Sequence, residues 1–400
     1  MRYAIIGNGV AGTSAAAKIR TLDKTGKIEI FTTEPYPFYS RPLLPEFIAG
    51  AVEEKNLFVH PPQWYKDKNI VLHLAEGVEG VRPGDGELTT ARGKYGYDRL
   101  LLAVGSNPFV PPVKGMEGKQ GIFTLRSIDD AKAIKEHAKK SKKAVLVGGG
   151  LLGLEAGNGL RRAGVKVVVV EAFPRLLPRQ LDFEGSALLQ RQMEDMGFEF
   201  LLDEMCEGIE GQDRVEGVLL KSGKRVDADI LLVSAGVRPD LRLAKGIGLE
   251  TERGVKVNDR LEASIENIFA SGDVAQHRGL CYGIWPASQR QGEVAGTNMA
   301  GGDEVYDGTV PSNTLKVLGI DLVSSGEIDA EGKLESRVAS EPEKATYRKL
   351  VFDGDCLVGC ILLGDVRGRW ELLRAIETKR DIRRFKEDLL RDDFDFATIR

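Results

Sequence analysis

The sequence predicts an α/β protein with two parallel-sheet units and a smaller α+β segment at the end of the chain. Two glycine-rich turns and the apolar runs around them carry that prediction. The first turn is Gly7-Asn8-Gly9-Val10-Ala11-Gly12, after the apolar run Tyr3 to Ile6. The second is Gly148-Gly149-Gly150-Leu151-Leu152-Gly153, after Ala144 to Val147. Each leads into a helix of small residues, Thr13 to Ile19 and Leu154 to Arg162. In such a strand–turn–helix unit one glycine makes the tight turn and one lets the backbone approach a pyrophosphate. The third lets the helix pack on its strand, and the helix N-terminus offers its N–H groups to the phosphates. Two Rossmann-like units in one chain imply two dinucleotides, which is what passing a hydride from a nicotinamide to a flavin requires.

Each unit supplies an acidic residue at the end of its next strand. Val165 to Val170 reads as a buried parallel strand ending in Glu171. A carboxylate there accepts bonds from ribose hydroxyls and repels a 2′-phosphate, which favours NADH over NADPH. Arg175 lies close by and weighs the other way. In the first unit Ile28 to Phe31 runs on to Thr33 and Glu34. Glu34 is the candidate for the other ribose, with Thr33 the alternative if the strand register slips by one.

Composition bounds the classes of function. The chain has 400 residues, too many for one core, with 42% apolar and 29% charged residues. A net charge of −4 argues against general nucleic-acid affinity. No run is long and apolar enough to suggest a membrane span, and a first strand at Tyr3 leaves no room for a signal peptide. The 4 cysteines lack paired spacing, which suits a reducing cytoplasm. Cys356 and Cys360 fall on one predicted strand, too far apart to bridge, and read as core. The 4 histidines make no cluster, so no metal is expected.

The first dinucleotide unit extends to Leu100–Gly105, and Ser106 to Pro112 reads as a linker. The second unit ends near Ser234–Pro239. The chain then returns to the first unit through Ile268–Asp273 and a small-residue helix from Ser288 to Met299. Strand-like stretches follow at Leu315–Leu318, Leu322–Ser325, Tyr347–Phe352 and Leu357–Leu363, with Asp353-Gly354 as a hairpin signal. A charged helix pattern from Trp370 to Leu390 closes the chain. The domain reading is therefore 1–107 with 241–308, then 108–240, then 309–400.

These motifs resemble those of the two-dinucleotide flavoprotein reductases of glutathione-reductase-like fold. The two fingerprints, Ala103-Val104-Gly105 in place of that superfamily's "ATG" and Ile268–Asp273 matching its "IFAxGD" carry the resemblance over essentially the whole chain. It implies FAD in the first unit, with Asp273 on the ribityl hydroxyls. It implies cofactor contacts at Gly7, Gly9, Ala11, Gly12, Thr33 or Glu34, Val78, Ala103 and Gly105. Arg41, Pro42 and Trp285 would lie at the flavin. For NADH it implies Gly148, Gly150, Leu152, Gly153, Glu171 and Gly236, with Glu155 near the nicotinamide carboxamide.

Disulfide reductases of this superfamily carry a Cys-x4-Cys pair facing the flavin, and others a single cysteine. The corresponding stretch here, Pro37 to Gly50, has none. Without a thiolate there is no thiol–disulfide relay, and electrons must leave the flavin directly. The stretch is similar to that of reductases feeding iron–sulfur proteins, such as NADH:rubredoxin oxidoreductases and the flavin-binding part of assimilatory nitrite reductase. The implied reaction is hydride transfer from NADH to flavin N5, then electron transfer to an acidic one-electron carrier such as rubredoxin. Reduction of dioxygen and redox sensing without turnover are the alternatives. Reductases of this kind usually have a lysine where this chain has Glu46, and that lysine pairs with the glutamate corresponding to Glu155. Two carboxylates cannot pair, so one is protonated or the two are not adjacent. The basic residues Arg367, Arg369, Arg374, Lys379, Arg380, Arg383, Arg384 and Lys386 outnumber their local acids and offer a dock for an acidic carrier. In such relatives the C-terminal segment often forms a homodimer interface.

Overall fold

A computed structural model describes residues 1–317 and 319–399 of the chain. The chain divides into two compact units. One comprises Met1–Arg41, Glu53–Asn107 and Val237–Thr309; the other comprises Pro42–Val52, Pro108–Gly236 and Val310–Arg400.

The first unit is built on a five-stranded sheet in the order Ile268–Ala270, Arg99–Leu102, Arg2–Ile6, Lys27–Phe31, Ile70–His73, with every pair parallel. Its central strands are nearly continuous apolar runs, and Ile5, Ile28, Ile30, Leu100, Leu101 and Leu102 are fully buried, as a sheet covered on both faces demands. One covering layer pairs the helices Val10–Leu22 and Trp285–Met299 at backbone distance. A Cβ on Gly292 would sit 2.3 Å from the Ala11 carbonyl oxygen, and one on Gly296 would sit 2.6 Å from that of Ala15. The later helix begins at Trp285, three residues before the expected start, with Pro286 in its first turn.

The second unit carries its own parallel sheet, in the order Phe198–Leu202, Lys166–Glu171, Lys143–Val147, Ile230–Val233, Ile122–Phe123. It also holds the C-terminal antiparallel sheet, ordered Ser312–Val317, Ile320–Gly326, Cys356–Leu363, Thr346–Asp353, Glu335–Glu341. Asp353-Gly354 makes the expected hairpin, with Gly354 at φ +58° and Asp353 opposite Cys356. The α/β class with two parallel-sheet units and a C-terminal α+β segment is thus borne out. Cys356 and Cys360 lie on one strand as free thiols, Cys360 fully buried.

Three local expectations change. Ser106–Pro108 is a short strand, not open linker. Glu335–Glu341 is an edge strand whose polar sequence gave no apolar signal. The closing helix runs only over Arg369–Glu377, because Lys379 turns into left-handed backbone at φ +49° and Asp381 accepts the Arg383 N–H of a new turn. Of the stretch read at Leu315–Leu318, Leu318 lies outside the described residues.

Candidate functional site

In the first fingerprint the glycines divide their roles. Gly7 stands at φ +118°, and a Cβ there would lie 2.1 Å from the Ala103 carbonyl oxygen. A Cβ on Gly12 would lie 2.0 Å from the Gly7 carbonyl oxygen. Both are therefore fixed by the fold itself. Gly9 is different: its added Cβ would meet only Arg41 Nη1, at 3.7 Å. Gly9 caps the Val10–Leu22 helix without any side-chain oxygen on the first N–H groups, so those donors carry no side-chain cap. Ala11 is buried in the helix seam.

Side chains around that turn complete a polar cradle. Glu34 accepts from Tyr39 Oη at 2.6 Å and from Arg41 Nη2 at 2.7 Å, which holds the guanidinium beside Gly9. Thr33 instead lays its methyl against Gly77. Asp273 accepts from Ser106 Oγ at 2.8 Å, and the Gly272 N–H donates to Gln291 Oε1 at 2.8 Å. Gly105 is left-handed, at φ +75°, and its carbonyl accepts the Asp240 N–H. Asn8 Nδ2, Ser271 Oγ and Gln291 Nε2 are buried without a hydrogen-bond partner among the described residues. Such orphaned atoms ask for a polar ligand, and these residues fit a dinucleotide with a pyrophosphate and a hydroxyl-bearing chain. Trp285 is 36% exposed with its ring 5.6 Å from that of Phe38. Val78 opens the Val78–Arg82 strand, half-buried against the core. Pro42 falls in the second unit.

The second fingerprint repeats the logic. Gly148, at φ +109°, would put a Cβ 2.4 Å from the Ser234 carbonyl oxygen, and Gly153 would put one 2.7 Å from that of Gly148. Around Gly150 no atom comes within 4 Å of an added Cβ, and it caps the Leu151–Arg162 helix with no side-chain acceptor. Glu171 is buried, and its carboxylate accepts the N–H groups of Gly149 and Phe173. Each oxygen keeps a lone pair for a ribose hydroxyl. Arg175 directs its guanidinium to the carbonyls of Pro178 and Leu181 and over the Phe183 ring. Leu152 is exposed, and Gly236, at φ +96°, faces open space.

The Glu46–Glu155 question has a two-part answer. Glu46, on the short Leu44–Ile48 helix, pairs with Arg162 at 2.6 Å. Glu155 lies on the Leu151–Arg162 helix that packs against it; a Cβ on Gly159 would meet the Pro45 carbonyl oxygen at 2.6 Å. Burial, and after it the charge of Glu46, pushes the Glu155 carboxyl up to about 7. So one carboxylate takes an arginine, and the other holds a proton near neutrality.

Four of the eight C-terminal basic residues named above are engaged by partners elsewhere in the chain. Arg367 pairs with Asp365 and Asp392, Arg383 with Asp355, and Lys386 with Glu335, while Arg380 donates to the Ile399 carbonyl. Acids distant in sequence supply most of these partners, so part of the basic run is neutralised in place. Sequence reasoning missed Asn8, Ser271 and Gln291, although Gly292-x-x-x-Gly296 signalled the close helix seam beside them. No group of three or more metal-ligating side chains occurs among the described residues. Nor is any described helix long and apolar enough to cross a membrane.

Residues 1–300 match the pyridine nucleotide-disulphide oxidoreductase family. The chain belongs to that family. Flavoproteins of this family use FAD together with a pyridine nucleotide. Residues 311–380 match the rubredoxin NAD+ reductase C-terminal domain. The oxidoreductase is 36% identical over 94% of its length to a Bacillus subtilis (strain 168) nitrite reductase, of which it covers 47%. It therefore spans about half the length of that relative. It is 30% identical to a Clostridium acetobutylicum NADH-rubredoxin oxidoreductase, covering 94% of each chain. Its fold matches that of putidaredoxin reductase, solved as a covalent complex with putidaredoxin, with a TM-score of 0.90 at 23% identity, over 100% of this chain and 97% of that one.

Proposed function

We propose that this oxidoreductase takes electrons from NADH and delivers them, without any cysteine relay, to a one-electron iron–sulfur carrier of the rubredoxin class. The observation that carries the reading is the C-terminal segment at 311–380, matched to rubredoxin NAD+ reductases, joined to a Pro37–Gly50 stretch with no thiol. The similarity to an NADH-rubredoxin oxidoreductase over nearly the full length of both chains supports it.

FAD, when bound, supplies a ring that accepts a hydride and releases electrons one at a time. The protein's part is binding, orientation and exclusion of water. The Val10–Leu22 helix N-terminus, open at Gly9, binds the flavin dinucleotide's pyrophosphate, Glu34 its ribose and Asp273 its ribityl hydroxyls. Trp285 and Phe38 wall the ring. The Leu151–Arg162 helix N-terminus binds NADH, with Glu171 on the adenosine ribose. Glu155 holds or gives up a proton in the second turn of that helix.

Stopped-flow mixing of the NADH-reduced protein with purified rubredoxin tests the reading. Saturable reoxidation, much faster than by air, is expected. Slow NADH oxidation that yields only peroxide, whatever carrier is added, overturns it in favour of an oxidase. The reductant is tested separately. NADH should exceed NADPH in kcat/KM, because a buried carboxylate faces the 2′ position and Arg175 is directed elsewhere. Glu171→Ala combined with Ala172→Arg should move the ratio toward NADPH by at least about tenfold, or ~1.4 kcal/mol. Equal use of both by the native protein would remove Glu171 as the selector.

A further inference from the structure

The loop after Glu171 is pinned at both ends. At its start the Phe173 N–H donates to Glu171, and the Leu177 N–H reaches the Gly149 carbonyl at 3.2 Å. The Leu176 side chain lies 2.9 Å from where a Cβ of Gly149 would be. This loop is therefore one wall of the second fingerprint. At its far end is Asp182, which caps the Phe183–Asp195 helix by accepting the Gly185 N–H at 3.0 Å.

Asp182 does more than cap. Its Oδ2 accepts from Tyr347 Oη at 2.6 Å and from Lys349 Nζ at 3.1 Å. Both donors come from Thr346–Asp353, a strand of the C-terminal sheet. The three residues are 7%, 1% and 5% exposed respectively. Lys349 Nζ also donates to the Asp329 carbonyl at 2.8 Å, and a Cβ on Gly185 would meet the Tyr347 ring at 3.2 Å. A helix cap needs one or two backbone donors, not a buried ammonium and a buried phenol from another sheet. Burying that ammonium is costly unless it is paired, and its pairing with Asp182 ties the end of the loop to the C-terminal sheet.

We propose that Tyr347 and Lys349 are positioning residues for the nicotinamide dinucleotide: through Asp182 they hold the 172–182 loop against the Gly149 turn. The proposal rests on the reading that the second fingerprint takes NADH. It gives the C-terminal segment a part in reductant binding, besides any part in meeting the carrier.

The test uses the full-length, FAD-loaded protein. Tyr347→Phe keeps the ring and removes one bond; the double variant with Lys349→Met removes both; Lys349→Arg keeps the cation. Equilibrium titration with NAD+ should show Kd raised about fivefold in Tyr347→Phe and more than about tenfold in the double variant. Lys349→Arg should recover most of the loss. NADH KM should rise in step, with kcat at saturation and FAD content unchanged. Tryptic cleavage after the exposed Arg179 should quicken in the variants and slow again with NAD+. A purely structural role would lower the melting temperature while leaving NAD+ Kd within twofold, and that result overturns the proposal. Should the double variant not fold, Tyr347→Phe alone decides. Wild-type protein that fails to bind NAD+ overturns the underlying reading; normal wild-type binding with an unchanged Kd in Tyr347→Phe overturns only this one.

Discussion

Gly150→Val should leave the protein folded and yellow while raising NADH KM at least tenfold. The argument is steric and separates two kinds of glycine. Gly150 has extended backbone, at φ −79°, and empty space where a Cβ would go, so a branched side chain costs the fold little. That space is where a pyrophosphate must approach the helix N–H groups, and a valine occupies it. Gly153→Ala has the opposite character. Its Cβ would stand 2.7 Å from a backbone oxygen, so it damages the turn whether or not a nucleotide binds. Flavin absorbance, melting temperature and steady-state kinetics on the two variants measure the contrast. Unchanged NADH KM in a folded Gly150→Val would mean that the second fingerprint does not hold the reductant.

Glu155→Gln should flatten a pH dependence of stability that the native protein shows between pH 4.5 and about 7. The carboxyl is raised in the folded state, so across that window the native protein binds the proton and the unfolded chain does not. Stability is therefore fully present below pH 4.5 and is lost as pH rises through about 7. At about 1.4 kcal/mol per unit the effect is on the order of 3 kcal/mol at most. Melting temperatures across that range should decline in the native protein and stay level in Glu155→Gln. Glu46→Gln should shift the decline to lower pH, since it removes the neighbouring negative charge. A native profile with no slope in that window would show that Glu155 ionises freely.

The sequence made the fingerprints legible because the constraint there is local. A Cβ within 2.0 to 2.7 Å of a carbonyl oxygen admits only glycine, and four of the fingerprint glycines meet that condition. Six of the ten strands in the two parallel sheets were legible for a similar reason, since each is a short apolar run bounded by a turn; Ile70–His73, Ile122–Phe123, Phe198–Leu202 and Ile230–Val233 were not. What depends on partners far along the chain was not. Arg383 reads as free charge until Asp355 is seen beside it. Asp182 reads as an ordinary helix cap, and only the fold brings Tyr347 and Lys349 to it. Glu335–Glu341 alternates no apolar face because an edge strand needs little. Glu46 opposite Glu155 looked like a contradiction, and Arg162, on the same helix as Glu155, resolves it.

The seam between Val10–Leu22 and Trp285–Met299 also orders events at the ribosome. Its two halves are separated by the whole second nucleotide-binding sheet, and so is Ile268–Ala270 from the strand beside it. A nascent chain can close the sheet of 122–233 while the first sheet still lacks its outer strand and covering helix. The sheet begun earlier is thus completed later, and Asp273 and Gln291 emerge last among the groups that line its cradle. Flavin capture is then a late step of synthesis, and a ribosome stalled before Ile268 would carry one finished nucleotide fold and one exposed half-sheet.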